Sequence, residues 1–247
     1  LERIIHYFSE KVDDIANGVC IVVIDGQGGV GKSTLALHAA AVAVELLDSH
    51  GVTVLQVEAN MLSTVGAVSD GRAMTVSEAM QSMIRAIDPS LTRRMSLPAD
   101  PRRVTSRYQQ CFAGRHSVVL LDDCANMDDV LALCPRDNAV VIATSRRNLG
   151  LAAELHGIRD VLTVHLSPLE PSDSVLLIQD VAPRVSTRDA EELAEVCGNV
   201  PLSLMTVAAS LHKSPALGSA DIVAALKRTD SNYSRQIVDS CVRASAM

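Results

Sequence analysis

Residues 26 to 33 read GQGGVGKS, a complete G-x-x-x-x-G-K-[ST] phosphate-binding loop. An apolar run at residues 19–24 precedes the loop and predicts a buried strand, and the run at residues 34–41 that follows it predicts a helix. The motif requires this strand–loop–helix context. Its glycines let the backbone turn N–H groups toward phosphate oxygens. The chain is therefore predicted to bind a nucleoside triphosphate or diphosphate.

The loop and the start of its helix supply most of the predicted nucleotide-binding residues. Lys32 provides a cation for the outer phosphates, and the Ser33 hydroxyl provides a ligand for Mg²⁺. The positive end of the helix dipole adds to this attraction. The full predicted set here is Gly28, Gly29, Val30, Gly31, Lys32, Ser33 and Thr34.

Length and composition limit the other possibilities. A chain of 247 residues fits one large or two modest domains. No apolar run reaches the roughly 18 residues of a membrane helix, and no signal peptide is visible, which predicts a cytoplasmic protein without a membrane partner. The net charge of −7 argues against a nucleic-acid surface over the whole molecule. The start at Leu1 without Met suggests a fragment of a longer protein.

The cysteines and histidines give no sign of a metal or disulfide framework. The six cysteines lie far apart without a C-x-x-C pair, so free buried thiols in a reducing compartment are expected. His38 and His165 are interpreted as packing or surface residues rather than catalysts.

The order of predicted elements indicates two domains. Strand-like and helix-like segments alternate up to the apolar run at 161–164, which predicts a mostly parallel sheet flanked by helices. Only helical patterns follow from about Ser167. We therefore predict an α/β P-loop NTPase domain at residues 1–166 and a small all-helical domain at residues 167–247.

A second acidic motif follows another predicted strand. Residues 117–123 read SVVLLDD, an apolar strand ending in two carboxylates, which is the Walker B form. Asp122 is predicted to hold Mg²⁺, and Asp123 to polarise the attacking water as general base.

A third polar group ends the strand at residues 139–143. Thr144 and Ser145 form a polar pair, and Arg146 is the candidate sensor of the γ-phosphate because a guanidinium binds phosphate oxygens bidentately. Arg147 is the rival for that role, or it faces water.

The helical half contains the block GNVPLSL at residues 198–204. Gly198 is suited to end one helix in the left-handed conformation, and Pro201 to begin the next helix at its first turn. These capping roles account for both residues without a ligand.

Together these blocks resemble the NB-ARC module of the STAND class of signalling ATPases. The resemblance rests on GQGGVGKST, VVLLDD, VVIATSRR, HLSPLEPSDSVLLI and GNVPLSL, in the order of the family. It implies adenine nucleotides (ADP or ATP, with Mg²⁺) as cofactors, Pro201 on the adenine face and Arg146 as γ-phosphate sensor. The family's Val-Gly-Arg element and the winged-helix domain with its Met-His-Asp motif are not in the sequence, although residues 234–240 resemble the lead-in to that domain.

The resemblance implies a nucleotide-operated switch. ADP would hold a closed state, and exchange for ATP would open the protein and permit self-association, with effector and sensor domains outside this sequence. Asp123 stands where stronger ATPases often have Glu, so at most weak Mg²⁺-dependent ATP hydrolysis is expected, with Lys32, Asp123 and Arg146 as its catalytic residues. No direct nucleic-acid binding is expected.

Two alternatives remain open at this point. One is an AAA-type ATPase machine that works as a ring. The other is a P-loop small-molecule kinase, for which lid arginines could come from Arg93, Arg94, Arg102 and Arg103. A GTPase is disfavoured because the sequence has no [NT]-K-x-D motif.

Overall fold

The computed structural model describes residues 1–15, 18–49, 54–61, 74–89, 100–149, 161–214 and 218–227. The chain forms two compact units. One, here called the sheet unit, comprises Leu1–Gly26 and Lys32–His165; the other, the helical unit, comprises Gln27–Gly31 and Leu166–Met247. The change of unit after His165 falls beside residue 166, where the sequence predicts a domain boundary. That each unit is a separate domain stays a prediction.

The sheet unit contains one five-stranded sheet in the order β2-β3-β4-β1-β5. The strands are β1 (Val19–Gly26), β2 (Val54–Asn60), β3 (His116–Asp122), β4 (Ala139–Ser145) and β5 (Val161–Leu166). The pairings of β1 with β4, β2 with β3 and β3 with β4 are all parallel. The predicted α/β fold with a mostly parallel sheet is therefore confirmed. Parallel pairing brings the carboxyl ends of β1, β3 and β4 to the same edge of the sheet.

In the described part of the sheet unit the helices are α1 (Glu2–Ile15), α2 (Lys32–Ser49), α3 (Val76–Ile87), α4 (Pro101–Phe112) and α5 (Met127–Ala132). Local signals fix several of their starts. Thr75 and Glu78 form a reciprocal capping box at α3. The Asp100 carboxylate accepts from the Arg102 N–H at α4, where Pro101 occupies the first turn.

The core of the sheet unit lies where helices cover the central strands. Strand β4 is buried at all seven positions, as expected for a parallel strand covered on both faces. Helix α4 buries Val104, Tyr108 and Phe112 at a spacing of four residues. The Tyr108 hydroxyl donates to the Leu133 carbonyl at 2.5 Å, so this buried polar group is satisfied.

Among its described residues, the helical unit has the helices α6 (Pro171–Val181), α7 (Thr187–Val196), α8 (Pro201–Lys213) and α9 (Ser219–Lys227). Proline occupies the first turn of both α6 and α8. Ile178, Leu193, Leu204 and Leu211 are buried together in the core of this unit. The hydrophobic spacing in the sequence predicts all four helices.

Some elements differ from the sequence predictions. The sequence analysis predicts neither α1, at the amino terminus, nor α5, whose six residues give little periodic signal. The cap of α5 is Asn126, whose side chain accepts from the Asp129 N–H. Predictions for residues 52–53, 62–73, 90–99 and 234–240 lie outside the described residues.

The described cysteines are free thiols, as predicted. Cys20, Cys124 and Cys197 are buried, and Cys111 and Cys134 are half-buried. Burial raises the pKa of Cys124 and of Cys134 to about 12, and that of Cys197 to about 11. Such thiols are poor nucleophiles near neutral pH. Cys241 lies outside the described residues.

Across the described part of the chain, the model contains no helix with the length and apolar character needed to cross a bilayer.

Candidate functional site

The phosphate-binding loop adopts the backbone conformations that its glycines allow. Gly26, Gly29 and Gly31 have φ values of 146°, 80° and 104°, which disfavour residues with a side chain. A Cβ atom added at Gly28 or at Gly31 would meet nothing within 4 Å, so the backbone here faces open space. A loop of this shape can bring its N–H groups close to an anion.

Lys32, the first residue of α2, is only 8% exposed. Burial lowers the pKa of Lys32 from its ordinary value. The carboxylates of Asp123, Asp122 and Asp25 oppose this shift, whereas the Arg146 guanidinium adds to it. The ammonium is thus desolvated and surrounded by the charged groups at the carboxyl edge of the sheet.

Asp122, at the end of β3, connects two other elements. The Ser33 hydroxyl donates to Asp122 Oδ1 at 2.8 Å, and the Thr144 hydroxyl donates to the same oxygen at 2.6 Å. The two predicted Mg²⁺ ligands therefore lie side by side. Thr144, at the end of β4, fixes the direction of the Asp122 carboxylate.

Asp123 adopts a left-handed backbone conformation with φ of 59°. Its N–H donates to Thr144 Oγ1 at 2.8 Å, so Thr144 binds both acidic residues of the Walker B motif. Its carboxylate pairs with Arg146, with Arg146 Nη2 donating to Asp123 Oδ2 at 2.9 Å. The structure thus brings together the predicted general base and the predicted γ-phosphate sensor.

Ser145 and Arg147 lie apart from this network of charges. The Ser145 hydroxyl is buried and donates to the Cys124 carbonyl at 2.8 Å, and the Arg147 N–H donates to Ser145 Oγ at 3.1 Å. Thr144 and Ser145 therefore orient the end of β3. Among the described residues, both hydroxyls take part in these contacts.

Sequence reasoning missed Asp25, the residue before the loop. Asp25 is 1% exposed, and its Oδ1 lies 2.5 Å from Nδ1 of His165 at the end of β5. Its Oδ2 has no hydrogen-bond partner among the residues described. His165 was predicted to be a packing or surface residue; its side chain is 68% exposed and it pairs with Asp25. The only signal for this pair is that both residues end neighbouring strands.

The block around Pro201 caps helices as predicted. Gly198 and Asn199 have φ values of 63° and 55°, and their N–H groups donate to carbonyls of the last turn of α7. Within the helical unit, the Leu202 N–H donates to the Gly29 carbonyl at 3.1 Å. A Cβ atom at Gly29 would lie 3.0 Å from Leu202 Cβ, so this contact requires glycine. The adenine-binding role of Pro201 stays a prediction.

The oxygen donors beside the loop fit a Mg²⁺ ion, which the phosphate-binding motif implies. Among the described residues, no group of three or more His, Cys, Asp or Glu side chains could hold a metal ion alone. Mg²⁺ in nucleotide sites, however, is bound by one or two carboxylates together with phosphate oxygens. Asp122 provides such a carboxylate, and the Ser33 hydroxyl lies beside it as a second oxygen donor.

The parallel sheet, the glycine-rich loop and the acidic end of β3 define a P-loop NTPase. Comparison with known families agrees: the model of the NB-ARC domain matches residues 1–187. The chain belongs to the NB-ARC family. Among curated proteins, none matches the chain in sequence.

Solved structures support the fold. The chain is similar to the Aeropyrum pernix ORC2 protein in its ADPNP-ADP complexes, with a TM-score of 0.60 and 14% identity over 93% of this chain. It is also similar to Drosophila ORC bound to DNA, with a TM-score of 0.53 and 12% identity over 97% of this chain. The similarity to Cdc6p from Pyrobaculum aerophilum has a TM-score of 0.52 and 11% identity over 86% of this chain. The chain spans 67%, 65% and 62% of those structures, about two thirds of their length. At these identities the likeness concerns the fold.

Proposed function

We propose that the chain is an ADP/ATP-binding switch of the STAND type, with slow ATP hydrolysis. One observation carries the proposal: Ser33, Asp122, Thr144, Asp123 and Arg146 form one hydrogen-bonded network beside the buried ammonium of Lys32. The network joins the start of α2 to the ends of β3 and β4, where P-loop proteins bind the outer phosphates.

Each residue has a defined part in nucleotide binding. The backbone of Gly28 to Gly31 and the Thr34 region receive the phosphates. Lys32 neutralises part of their charge, which is favourable because its side chain is already largely buried. Ser33 and Asp122 would hold Mg²⁺, which when bound would offset the charge of the phosphate oxygens. Pro201 covers the adenine base, as the family resemblance implies.

The ion pair between Asp123 and Arg146 supports the proposal of slow turnover. In the structure the carboxylate of Asp123 is engaged by the guanidinium at 2.9 Å. Asp123 accepts a proton from the attacking water only after Arg146 turns toward the γ-phosphate. The side chain of Asp123 is also shorter than that of glutamate and reaches the attacking water less well, so Asp123 is a weak general base.

Nucleotide exchange acts as a switch if ADP and ATP favour different conformations. We propose that the ATP-bound form self-associates within a longer cytoplasmic protein that carries effector and sensor domains. The family match supports this role over an AAA-type machine or a small-molecule kinase. The net charge of −7 supports the absence of direct nucleic-acid contact.

The first test identifies the nucleotide that co-purifies with the protein. The protein is denatured, and the released nucleotide is identified by chromatography; a near-stoichiometric amount of ADP is expected. Light scattering then compares the mass with ADP and with a non-hydrolysable ATP analogue. An empty site that binds ATP only loosely would argue against the switch, and an unchanged mass with the analogue would argue against self-association of this chain.

The second test is Asp123→Asn, which keeps the size of the side chain but removes its basicity. We expect ATP turnover to fall by at least about tenfold while ATP affinity changes by less than about threefold. Phosphate release and equilibrium binding are measured on the same preparation. Unchanged turnover would remove Asp123 from the role of general base.

A further inference from the structure

A second concave site lies in the sheet unit, along the exposed side of α4. It is a groove of about 560 Å³. One wall is a stripe of α4 formed by Arg102, Thr105, Ser106, Gln109 and Ala113, whose spacing places them on one helical face. Because a helix rises 1.5 Å per residue, this stripe is about 16 Å long. The groove is thus long enough for a ligand of several residues.

The other wall is the turn of residues 136–138, which comes just before β4. This turn is tied to α4, because Gln109 Nε2 donates to the Cys134 carbonyl at 3.1 Å. The backbone of Asn138 is left-handed, with φ of 55°, and its carbonyl accepts from the Ser117 N–H. This wall of the groove therefore lies at the amino ends of β3 and β4, whereas the residues of the nucleotide site lie at the carboxyl ends.

The guanidinium groups of two described lining residues, Arg102 and Arg136, have no ion-pair partner among the described residues. Arg102 and Arg136 are exposed, and no described carboxylate lies within ion-pair distance of either guanidinium. By contrast, Arg103 lies 4.0 Å from Asp100 and does not line the groove. Asp137 is the one carboxylate among the described lining residues. Each free guanidinium can bind a carboxylate bidentately.

We propose that this groove binds an extended acidic peptide segment of a partner protein. Five residues in an extended conformation span about 16 Å, the length of the stripe. Two carboxylates of the peptide pair with Arg102 and Arg136, while the side-chain amides of Gln110 and Asn138 bind its backbone. Asp137 repels any peptide carboxylate placed next to it, and this repulsion fixes the position of the peptide along the groove.

The lining favours a peptide over a nucleic acid. Single strands are bound by aromatic stacking platforms and by many cations along the backbone. Phe112, the one aromatic side chain among the described lining residues, is 3% exposed and packs in the core. Two guanidinium groups beside Asp137, in a chain of net charge −7, do not form a continuous track for phosphates.

The experiment selects binders from a random seven-residue peptide display library on the 247-residue protein. The same selection is made with Arg102→Gln, with Arg136→Gln and with Arg103→Gln as the matched control on the same helix. One enriched peptide, its variant with Gln in place of each acidic residue, and a single-stranded oligonucleotide are then compared by fluorescence anisotropy. Thermal melting and ADP affinity verify that each variant is folded.

We expect enrichment of peptides with two acidic residues three to five positions apart. The Arg102→Gln and Arg136→Gln variants each bind the selected peptide about tenfold more weakly, whereas Arg103→Gln binds it as the unchanged protein does. ADP affinity is the same in all three variants, so failure here is distinct from failure of the proposed nucleotide switch. The proposal is overturned by the absence of acidic enrichment, by an equal loss in Arg103→Gln, or by preferential binding of the oligonucleotide through the two lining arginines.

Discussion

The sheet unit and the helical unit hold their candidate functional residues by different kinds of contact. In the sheet unit, side chains bond across elements that are distant in sequence: Ser33 to Asp122 and Asp123 to Arg146. In the helical unit, the residues around Pro201 are held by backbone bonds: most join residues three to five positions apart, and the Asn199 carbonyl and the Leu202 N–H also bond to Leu169 and Gly29. A side-chain substitution in the first network therefore disturbs several charged groups, whereas a side-chain substitution near the cap leaves these backbone bonds in place.

The largest effect of any substitution is expected at Lys32, in the sheet unit. Lys32→Ala is expected to weaken nucleotide binding by at least about 100-fold, because a charge-assisted contact to phosphate contributes up to about 3 kcal/mol. Isothermal titration with ADP and with ATP measures the loss. Lys213→Ala, at an exposed lysine in the last turn of α8, is the control and should bind as the unchanged protein does. Equal affinity in Lys32→Ala would remove the loop from nucleotide binding.

Thr144→Val and Thr206→Val test the same change in the two units. Thr144 supports both Asp122 and Asp123, so its loss should lower the free energy of unfolding by about 1–3 kcal/mol and reduce ATP turnover. The Thr206 side chain is half-buried, and its hydroxyl donates to the Leu202 carbonyl one turn earlier in α8. Its substitution should cost less than about 0.5 kcal/mol. Urea unfolding that gives equal costs would contradict the contrast between the units.

The Pro201→Ala variant tests whether Pro201 only starts helix α8 or also contacts the nucleotide. Proline at the first turn of α8 is replaced without loss of a backbone bond, so stability should change by less than about 1 kcal/mol. If Pro201 covers the adenine base, ADP affinity should fall by about two- to fivefold. ADP affinity equal to that of the unchanged protein would leave Pro201 with a capping role alone.

The smallest effect is expected from Ser174→Ala in the helical unit. Ser174 is fully buried, and its hydroxyl has no hydrogen-bond partner among the described residues. Removing it should leave stability unchanged or raise it by up to about 1 kcal/mol. Ser145→Ala in the sheet unit, where the equally buried hydroxyl binds Cys124, should instead cost about 1–3 kcal/mol. Thermal unfolding of both variants decides whether the two buried serines differ.

Within the sheet unit, arginines also differ in their surroundings between the nucleotide site and the groove on α4. Arg146 is paired with Asp123 at the carboxyl edge, whereas Arg102 and Arg136 line a surface groove without an ion pair to any described carboxylate. In the sequence all three are arginines beside polar residues. Their different surroundings follow from the positions of α4 and the turn before β4.

Features encoded by neighbouring residues could be predicted from the sequence. The loop is contiguous and flanked by apolar runs, so its strand–loop–helix context was visible, and the buried strands β1, β3 and β4 follow from uninterrupted apolar residues. The left-handed Gly198 and the first-turn Pro201 were likewise read from local backbone preferences. Backbone sterics and hydrophobic burial act at short range, and the sequence determines them directly.

Pairings between distant residues were decided by the tertiary structure alone. Asp25 and His165 are 140 residues apart, and Thr144 meets Asp122 only because β3 and β4 are parallel neighbours. The order of strands sets which carboxyl ends meet, and no local pattern encodes that order for a single sequence. The sequence determined that this chain has a phosphate-binding loop and two acids to accompany it. Only the packing of the sheet decided that Thr144 orients both acids, that Arg146 pairs with Asp123, and that Arg102 and Arg136 share a groove.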